Sequence, residues 1–157
     1  MHVDQRQRPQ VALRFGQVQG LDLREVGRVL VAPPILNFTY VENTGVSFGL
    51  FGGGGARWLL SVFSILVAGG LAMWALKAER RLLVSAIGLV IGGAIGNAID
   101  RIQYGYVVDF IDLSGTGLFP WVFNIADSAI TVGVVLLILD SLLSERKAGV
   151  GAANEKA

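Results

Sequence analysis

The stretch GGAIGNAIDRIQYGYVVDFID, from Gly92 to Asp112, joins the end of an apolar segment to a short run of strand-forming residues. The apolar segment extends from residue 82 to residue 99 and is long enough to span a bilayer as a helix. The run YVVDFI, residues 106–111, is rich in the β-branched and aromatic residues typical of strands. The sequence therefore predicts a transmembrane helix that ends at a membrane surface and is followed there by a strand.

Two further apolar segments, residues 58–76 and 123–143, are predicted to cross the bilayer. As a helix, residues 58–76 would reach about 28 Å, close to the roughly 30 Å of hydrocarbon in a typical bilayer. Three tryptophans lie near span ends, as interfacial anchors do: Trp58, Trp74 and Trp121. Residues 35–41 form a second predicted strand, and the two strands are expected to pair over the helix ends. We therefore expect an all-α membrane helix bundle with a small exoplasmic β-sheet.

The composition places the chain among membrane proteins. Its 157 residues are enough for one integral membrane domain, and only 16% are charged, against about 25% in an average soluble domain. The absence of Cys excludes disulfides, thiolate metal sites and Cys nucleophiles. The single histidine, His2, argues against a His-based triad or zinc site. No metal or cofactor is expected, and a net charge of +1 gives no reason to expect a nucleic-acid partner.

Basic residues set the expected orientation of the spans. The loop KAERR, residues 77–81, and the tail at residues 144–157 are basic, so the positive-inside rule places both in the cytoplasm. Residues 101–121 contain one basic residue and two aspartates, and they are expected on the exoplasmic side. The first 35 residues break the rule, because they carry five arginines without a run of ten apolar residues. The atypical tail, residues 1–20, is therefore expected to be truncated, misread or disordered.

Polar residues cluster at the exoplasmic ends of the second and third spans. Each end carries an Asn-x-x-Asp pair on one helix face, Asn97 with Asp100 and Asn124 with Asp127. An ionisable group at membrane depth costs roughly 2.5–3.5 kcal/mol even on lenient scales, so each of these acids needs a reason. Asp127 lies inside an apolar span and is the strongest functional candidate. Asp109 also stands out, because it is embedded in apolar YVVDFI beside the membrane.

Several of these features also have plain structural explanations. Asp100 and Arg101 can form a local ion pair at the helix end, and Asn43 can be only a turn former. Asp112 is expected in a solvated loop, whereas Asp140 is expected to anchor the cytoplasmic end of the third span. Two overlapping GxxxG steps are expected to allow close helix packing, at Gly88, Gly92 and Gly96.

Two carboxylates brought together in a low-dielectric site cannot both ionise easily, so the pair retains one proton. This is the arrangement of aspartic proteases, in which the charged acid activates water and the protonated acid polarises the scissile carbonyl. Asn97 and Asn124 can orient the carboxylates or hold the substrate. From the residues alone, the partner of Asp127 can be either Asp100 or Asp109.

Three stretches, taken in order, resemble the prolipoprotein signal peptidases, also called signal peptidase II. They are LNFTYVENTGVSFGL (residues 36–50), the Gly92–Asp112 stretch and FNIADSAITVGVVLLILD (residues 123–140), and the resemblance covers residues 21–143. It implies a membrane aspartic endopeptidase that removes signal peptides from lipid-modified bacterial prolipoproteins. It also implies a monomeric, multi-pass protein of the bacterial inner membrane, with an active site near the periplasmic face. Its partners would be diacylglyceryl-modified prolipoproteins and membrane lipid.

The motifs of this family also imply roles for individual residues. Asp109 and Asp127 would form the catalytic dyad. Five residues would bind substrate or support the site: Asn43, Asn97, Asp100, Arg101 and Asn124. The family has four spans, a cytoplasmic N-terminus and a small sheet that forms a cradle at the outer membrane face. Its first span has no counterpart in residues 1–20, so we expect that helix to be lost or altered.

Two rival functions are compatible with the same residues. Intramembrane Asp and Asn residues also serve small ion- or proton-coupled transporters, although no polar path crosses the cytoplasmic half of the predicted spans. The atypical tail also admits a non-catalytic, degenerate homologue. Cleavage of a lipid-modified peptide, ion flux, or neither would separate the three hypotheses.

Overall fold

The computed structural model describes residues 10–12, 28–32, 35–45 and 55–154. Within these ranges, the chain forms three long helices and five strands. The helices are α1 (Gly55–Ala75), α2 (Arg81–Tyr104) and α3 (Ile125–Asn154), and the strands are β1 (Gln10–Ala12), β2 (Arg28–Ala32), β3 (Leu36–Asn43), β4 (Val107–Asp112) and β5 (Val122–Phe123). A short 3₁₀ turn, Ser114–Thr116, lies between β4 and β5.

The three helices are long and apolar enough to cross a membrane. Their candidate spans have mean hydropathies of 1.9, 2.1 and 2.0, and the third span ends at Glu145, within α3. Large apolar side chains on α1 point outward, with Phe63 64% and Leu66 69% exposed. An apolar surface of this kind is unfavourable in water but is solvated well by hydrocarbon. The three predicted membrane helices are therefore confirmed, and α2 continues to Tyr104, beyond its predicted end at residue 99.

The middle helix, α2, is the most enclosed of the three. Its packing face follows the three- and four-residue spacing of one helix side: Ala86, Val90, Gly93 and Asn97. The first turn of α3 approaches this face closely, because a Cβ atom on Gly93 would collide with the backbone oxygen of Ala126. Glycine at this position therefore lets the backbones of α2 and α3 come together next to the polar end of both helices.

The two overlapping GxxxG steps do not make this contact. A Cβ atom on Gly88 or Gly92 would enter open space, and one on Gly96 would lie an ordinary 3.4 Å from Ala126 Cβ. The predicted packing role of the GxxxG stripe is therefore wrong for its first two glycines. The physical reason is rotation, since this stripe lies roughly 130° around α2 from the face centred near Gly93.

A five-stranded sheet lies where α2 ends and α3 begins, with the strands in the order β1-β2-β3-β4-β5. β1 and β2 are parallel, and the other neighbouring strands are antiparallel. The two strands predicted from the sequence, β3 and β4, pair as expected, with Val41 opposite Asp109. Their register shifts between Phe38 and Val41, where β3 carries an extra residue, and such bulges re-aim side chains beside functional sites.

Three short strands are not evident from the sequence. β5 occupies Val122–Phe123, where the third span was predicted to begin, and it pairs with Ile111 and Asp112 of β4. The predicted loss or alteration of an N-terminal helix concerns residues that lie mostly outside the described ranges. Of the atypical tail at residues 1–20, only Gln10–Ala12 is described, and it forms β1.

At the end of the bundle away from the sheet, Arg80 and Asp140 join the start of α2 to α3. Arg80 Nη2 lies 2.9 Å from Asp140 Oδ2, and Arg80 Nη1 donates a 3.4 Å hydrogen bond to the Asp140 backbone oxygen. Asp140 is buried, and a buried carboxylate requires a partner of this kind. Among the described contacts, Asp140 therefore joins two helices, which is a structural role rather than a chemical one.

Candidate active site

Asn124 begins α3 and fixes the position of Asp127 in its first turn. Asn124 Oδ1 accepts a 2.9 Å hydrogen bond from the Asp127 backbone N–H, as a helix N-cap does. In return, Asp127 Oδ2 accepts a 3.4 Å hydrogen bond from the Asn124 backbone N–H. This reciprocal pattern is a capping box. The Asn-x-x-Asp pair seen in the sequence is therefore a helix start that holds a carboxylate at the positive end of the helix dipole.

The same Asn124 side chain reaches across to the sheet and holds Asp109. Its Nδ2 donates a 2.8 Å hydrogen bond to Asp109 Oδ1 and a 3.1 Å hydrogen bond to Asn97 Oδ1. Asn97 Nδ2 in turn donates a 2.8 Å hydrogen bond to Asp127 Oδ1. Asp109 and Asp127 are therefore joined through two amide side chains, each of which is buried.

Asn43 holds Asp109 from the other side. Its Nδ2 donates a 2.9 Å hydrogen bond to Asp109 Oδ2, while its Oδ1 accepts a 2.8 Å hydrogen bond from the Gly45 backbone N–H. The sequence left two roles open for Asn43, forming a turn or contributing to the site. In the structure Asn43 makes both contacts. Gly45 has a φ of 76°, and a Cβ atom there would lie 2.6 Å from Leu60 Cδ1. The positive φ is the reason that glycine is favoured at this turn, because the end of the Leu60 side chain can shift to make room for a Cβ atom.

The environment of Asp109 favours its protonated form. Burial raises the pKa of Asp109, and the nearby charge of Asp127 raises it further. The hydrogen bonds from Asn43 and Asn124 and the charge of Arg101 act in the opposite direction, but the net pKa is raised. The pair is therefore arranged to retain one proton.

Asp100 and Arg101 do not form the predicted ion pair with each other. Among the described side chains, Asp100 Oδ2 instead accepts a 3.3 Å hydrogen bond from the Val108 backbone N–H, which joins the end of α2 to β4. Arg101 Nη1 donates a 3.3 Å hydrogen bond to the Asn97 backbone oxygen, and its guanidinium lies beside Gly45. β4 offers Asp100 a backbone donor, a contact that local sequence does not reveal.

The sequence-predicted residues therefore converge on one place, with Asp100 at its edge. Asp109, Asp127, Asn43, Asn97 and Asn124 share one hydrogen-bond network. Arg101 is near enough to influence the charge of Asp109. The sequence left Asp100 and Asp109 as possible partners of Asp127. The network contains Asp109, whereas Asp100 binds the Val108 backbone N–H.

An apolar cavity of about 420 Å³ lies beside Asp127. Its wall comes from the segment between β4 and α3 and from the outer side of α3: Leu113, Phe119, Trp121, Phe123, Ser128, Thr131 and Val132. Sequence reasoning missed these lining residues, apart from noting Trp121 as an interfacial anchor. Two aromatic residues within three positions of an exposed loop, Phe119 and Trp121, are the signal that could have indicated a binding surface.

A second cavity, of about 410 Å³, lies between the sheet and the adjoining ends of α2 and α3. Tyr40, Val108 and Phe110 line it from the sheet, and Asn124 lines it from the start of α3. The hydrogen-bond network that includes Asp109 and Asp127 therefore borders one cavity at Asn124 and another at Asp127.

Comparison with known proteins places this arrangement among membrane peptidases. The family model for signal peptidase (SPase) II matches residues 6–143. A lipoprotein signal peptidase of Caulobacter vibrioides is 59% identical over 130 residues, which cover 82% of this chain and 77% of that protein. A lipoprotein signal peptidase of Methylobacterium radiotolerans is 49% identical over 137 residues, covering 83% of this chain and 77% of that protein.

Two solved structures of bacterial membrane enzymes, both obtained by the in meso method, share the fold. The first, at 2.3 Å resolution, has a TM-score of 0.66 and 35% identity, and the match covers 75% of this chain and 72% of that one. The second, at 1.9 Å resolution, has a TM-score of 0.66 and 36% identity, covering 73% of this chain and 74% of that one.

Proposed function

The chain belongs to the signal peptidase II family, and we propose that it is a membrane aspartic endopeptidase that removes signal peptides from lipid-modified bacterial prolipoproteins. Asp109 and Asp127 are the proposed catalytic dyad. The observation that carries this proposal is the link between them, because the Asn124 amide binds Asp109 and caps the helix turn that carries Asp127. No nucleophilic Ser, Cys or His is required for such a dyad.

In the proposed mechanism, Asp109 holds the shared proton and Asp127 is the charged base. Burial raises the pKa of Asp109, whereas the carboxylate of Asp127 lies at a helix N-terminus and accepts a hydrogen bond from Asn97. Asp127 takes a proton from the attacking water while Asp109 polarises the scissile carbonyl. The proton gained by Asp127 then passes to the leaving amine, so that the dyad returns to its starting state.

The hydrogen bonds to Asp109 are compatible with its protonated form. Asn43 and Asn124 occupy one acceptor position on each carboxyl oxygen. A protonated carboxyl oxygen still has a lone pair, so it can accept from an amide and donate its own proton to a substrate carbonyl. The two amides therefore hold the carboxyl group in place and leave a position on each oxygen for the proton.

We propose that the apolar cavity beside Asp127 binds an apolar group of the substrate next to the scissile bond. The cavity is lined mainly by apolar side chains, and two of its lining residues, Thr131 and Val132, lie within the candidate span. The diacylglyceryl chains of the substrate would remain in lipid while the peptide lies under the sheet. Arg101 and Asn43 are the proposed contacts for the peptide backbone.

The protein is proposed to be a monomeric inner-membrane protein, with residues 1–157 forming a single peptidase domain and residues 144–157 a cytoplasmic tail. The basic loop at residues 77–81 lies at the end of the bundle opposite the dyad, which supports a periplasmic active site. The transporter alternative is less favoured, because Asp140, near that basic end, is paired with Arg80 rather than open to a pathway. The degenerate-homologue alternative is disfavoured by the presence of both acids and all three supporting asparagines.

The proposal is tested by incubating the purified full chain with a diacylglyceryl-cysteine precursor peptide and following the product by gel shift. We expect the lipid-modified peptide to be cleaved and the unmodified peptide to remain intact. Proton flux across proteoliposomes without cleavage would instead support a transporter. A well-folded chain that neither cleaves nor transports would contradict both functions and support a non-catalytic homologue.

A further inference from the structure

Asp112, the last residue of β4, is a buried carboxylate that the proposed dyad does not use. Its side chain is 2% exposed, so its predicted place in a solvated loop is wrong. The strand continues one residue further than the pattern YVVDFI suggests, and β5 covers its end through pairing with Val122. A carboxylate in such a place is costly unless its oxygens receive hydrogen bonds.

Among the described residues, two donors from different parts of the chain bind Asp112. Thr39 Oγ1, on β3, donates a 2.7 Å hydrogen bond to Asp112 Oδ2. The Ser114 backbone N–H, at the start of the 3₁₀ turn, donates a 2.9 Å hydrogen bond to Asp112 Oδ1. Because Thr39 is also buried, the three groups form a fixed link between the sheet and the turn that follows it.

The segment that Asp112 holds is the wall of the apolar cavity beside Asp127. This wall segment, residues 113–123, leaves β4 at Asp112 and returns beside it in β5. Four of its side chains line the cavity: Leu113, Phe119, Trp121 and Phe123. Asp112 therefore fixes the wall segment at both ends, by its side chain at Ser114 and by backbone pairing at Val122.

A second set of hydrogen bonds lies within the turn of the wall segment. Thr116 Oγ1 donates a 2.8 Å hydrogen bond to the Leu113 backbone oxygen and accepts a 3.2 Å hydrogen bond from the Leu118 backbone N–H. These two bonds stabilise the turn itself but do not connect it to the sheet. Among the described contacts, the carboxylate of Asp112 joins the turn at Ser114 to Thr39 of β3.

We propose that Asp112 is a positioning residue that fixes the wall segment and thereby sets how tightly the apolar group of the substrate binds beside Asp127. This inference rests on the proposed function, because it assigns that cavity to the substrate. Asp112 takes no part in the proton transfers. Its loss is therefore expected to weaken substrate binding while the chemical step proceeds.

The first test compares steady-state kinetics of Asp112→Ala, Asp112→Asn and Thr39→Val with the unaltered full chain. We expect Asp112→Ala to raise KM about ten-fold while kcat stays within about two-fold. Asp112→Asn keeps an acceptor for the Ser114 N–H and is expected to restore most of the affinity. Thr39→Val removes the described side-chain donor to Asp112 and is expected to give an intermediate KM, which keeps the test informative should Asp112→Ala not fold.

The matched control is Asp140→Ala, which removes a second buried carboxylate at the far end of the bundle. It is expected to lower thermal stability and to leave KM unchanged. A similar rise of KM in Asp140→Ala would show that any buried carboxylate has this effect, and would overturn the proposal. An unchanged KM in folded Asp112→Ala would overturn it directly.

The second test does not depend on activity. Hydrogen-exchange mass spectrometry of the full chain follows the peptide that covers residues 113–121. We expect about ten-fold faster exchange in Asp112→Ala, with unchanged exchange in α1, and equal exchange in that peptide would contradict the proposal. If the unaltered chain cleaves no precursor, the proposed function fails, and this exchange measurement alone decides whether Asp112 fixes the wall segment.

Discussion

Asn124 lies between the two proposed catalytic acids, with its Nδ2 2.8 Å from Asp109 Oδ1. The oxygen of the same side chain accepts the backbone N–H of Asp127 at 2.9 Å. One amide therefore sets the strand-borne acid and the helix-borne acid relative to each other. Because β4 and α3 meet only through tertiary structure, this residue is both a helix cap and part of the proposed catalytic site.

Substitutions can separate the two roles of Asn124, the cap of α3 and the contact with Asp109. Asn124→Ser keeps an oxygen that can cap α3 but removes the donors to Asp109 and Asn97. We expect this variant to lose roughly 10²-fold in kcat, on the scale of a misplaced acid or base, with a nearly unchanged melting temperature. Asn124→Ala should lose the same activity and also about 1 kcal/mol of stability, the usual cost of a lost cap. Equal activity of Asn124→Ser and the unaltered chain would contradict the role in the site.

Removing either proposed catalytic acid should abolish cleavage. Asp109→Asn and Asp127→Asn preserve shape but cannot exchange a proton, and each is expected to lower kcat by roughly 10²–10⁴-fold or more. Circular dichroism and expression level should remain as in the unaltered chain. The control is Glu145→Gln, which neutralises an exposed acid on the same helix as Asp127 and should cleave normally. Cleavage by Asp127→Asn at an unaltered rate would rule out the dyad.

The raised pKa of Asp109 predicts the direction in which kcat/KM changes with pH. As the general acid, Asp109 must be protonated, so kcat/KM should fall as the pH rises through its pKa, above the ordinary value of 3.8. The hydrogen bond from Asn43 lowers that pKa, so Asn43→Ala should move this alkaline limb to higher pH. Tyr106, whose pKa is raised to about 12 by its hydrogen bond with Tyr40, stays protonated in this range and leaves the limb unaffected. A limb that does not move in Asn43→Ala would contradict the assignment of the proton to Asp109.

The raised pKa of Asp109 also makes the folding stability depend on pH. The folded state binds the proton of Asp109 more tightly than the unfolded state does, because the folded pKa is raised. The corresponding stabilisation is fully present below the ordinary pKa and is lost as the pH rises through the raised one. Asp109→Asn should remove this contribution, and thermal unfolding of the two proteins across that pH range in detergent measures it.

The contact between α2 and α3 predicts which glycines matter for folding. Gly93→Ala would force a methyl group into the backbone of Ala126, and Gly133→Ala would place one 2.6 Å from Val90 Cγ2. Each should cost about 1–3 kcal/mol, as overpacking does, and Gly93→Ala should also lower activity because Ala126 adjoins Asp127. Gly92→Ala is the matched control, since its Cβ would enter open space. A larger loss of melting temperature in Gly92→Ala would contradict the assigned packing face.

Much of the fold could be predicted from the sequence because its signals are local. Long apolar runs give the three membrane helices, and β-branched residues around Thr39 and Val108 give the two strands. The unusual polarity of Asp127 inside an apolar run marks the site before any contact is known. The sequence could not show β5, because two residues form a strand only when another strand pairs with them.

The errors arise where a residue's partner lies far along the chain. Asp112 is predicted to lie in a loop, but it is buried, and it accepts a hydrogen bond from Thr39, which is distant in the sequence. The GxxxG stripe predicts a packing face, but Gly88 and Gly92 do not pack against a described residue, because α3 approaches α2 at Gly93. The face that packs depends on the neighbouring helix, so the local sequence does not show it.

The sequence by itself therefore determined that this protein crosses a membrane, that Asp100, Asp109 and Asp127 lie near the same end of its spans, and that its motifs are those of signal peptidase II. Hydrophobic length and the cost of a charge in lipid are properties of the chain, so they can be read from it. From the physical argument alone, only the tertiary structure decided that Asp109, rather than Asp100, joins Asp127. The reason is the approach of β4 to the start of α3, which brings the Asn124 amide to Asp109 while the Val108 backbone N–H binds Asp100.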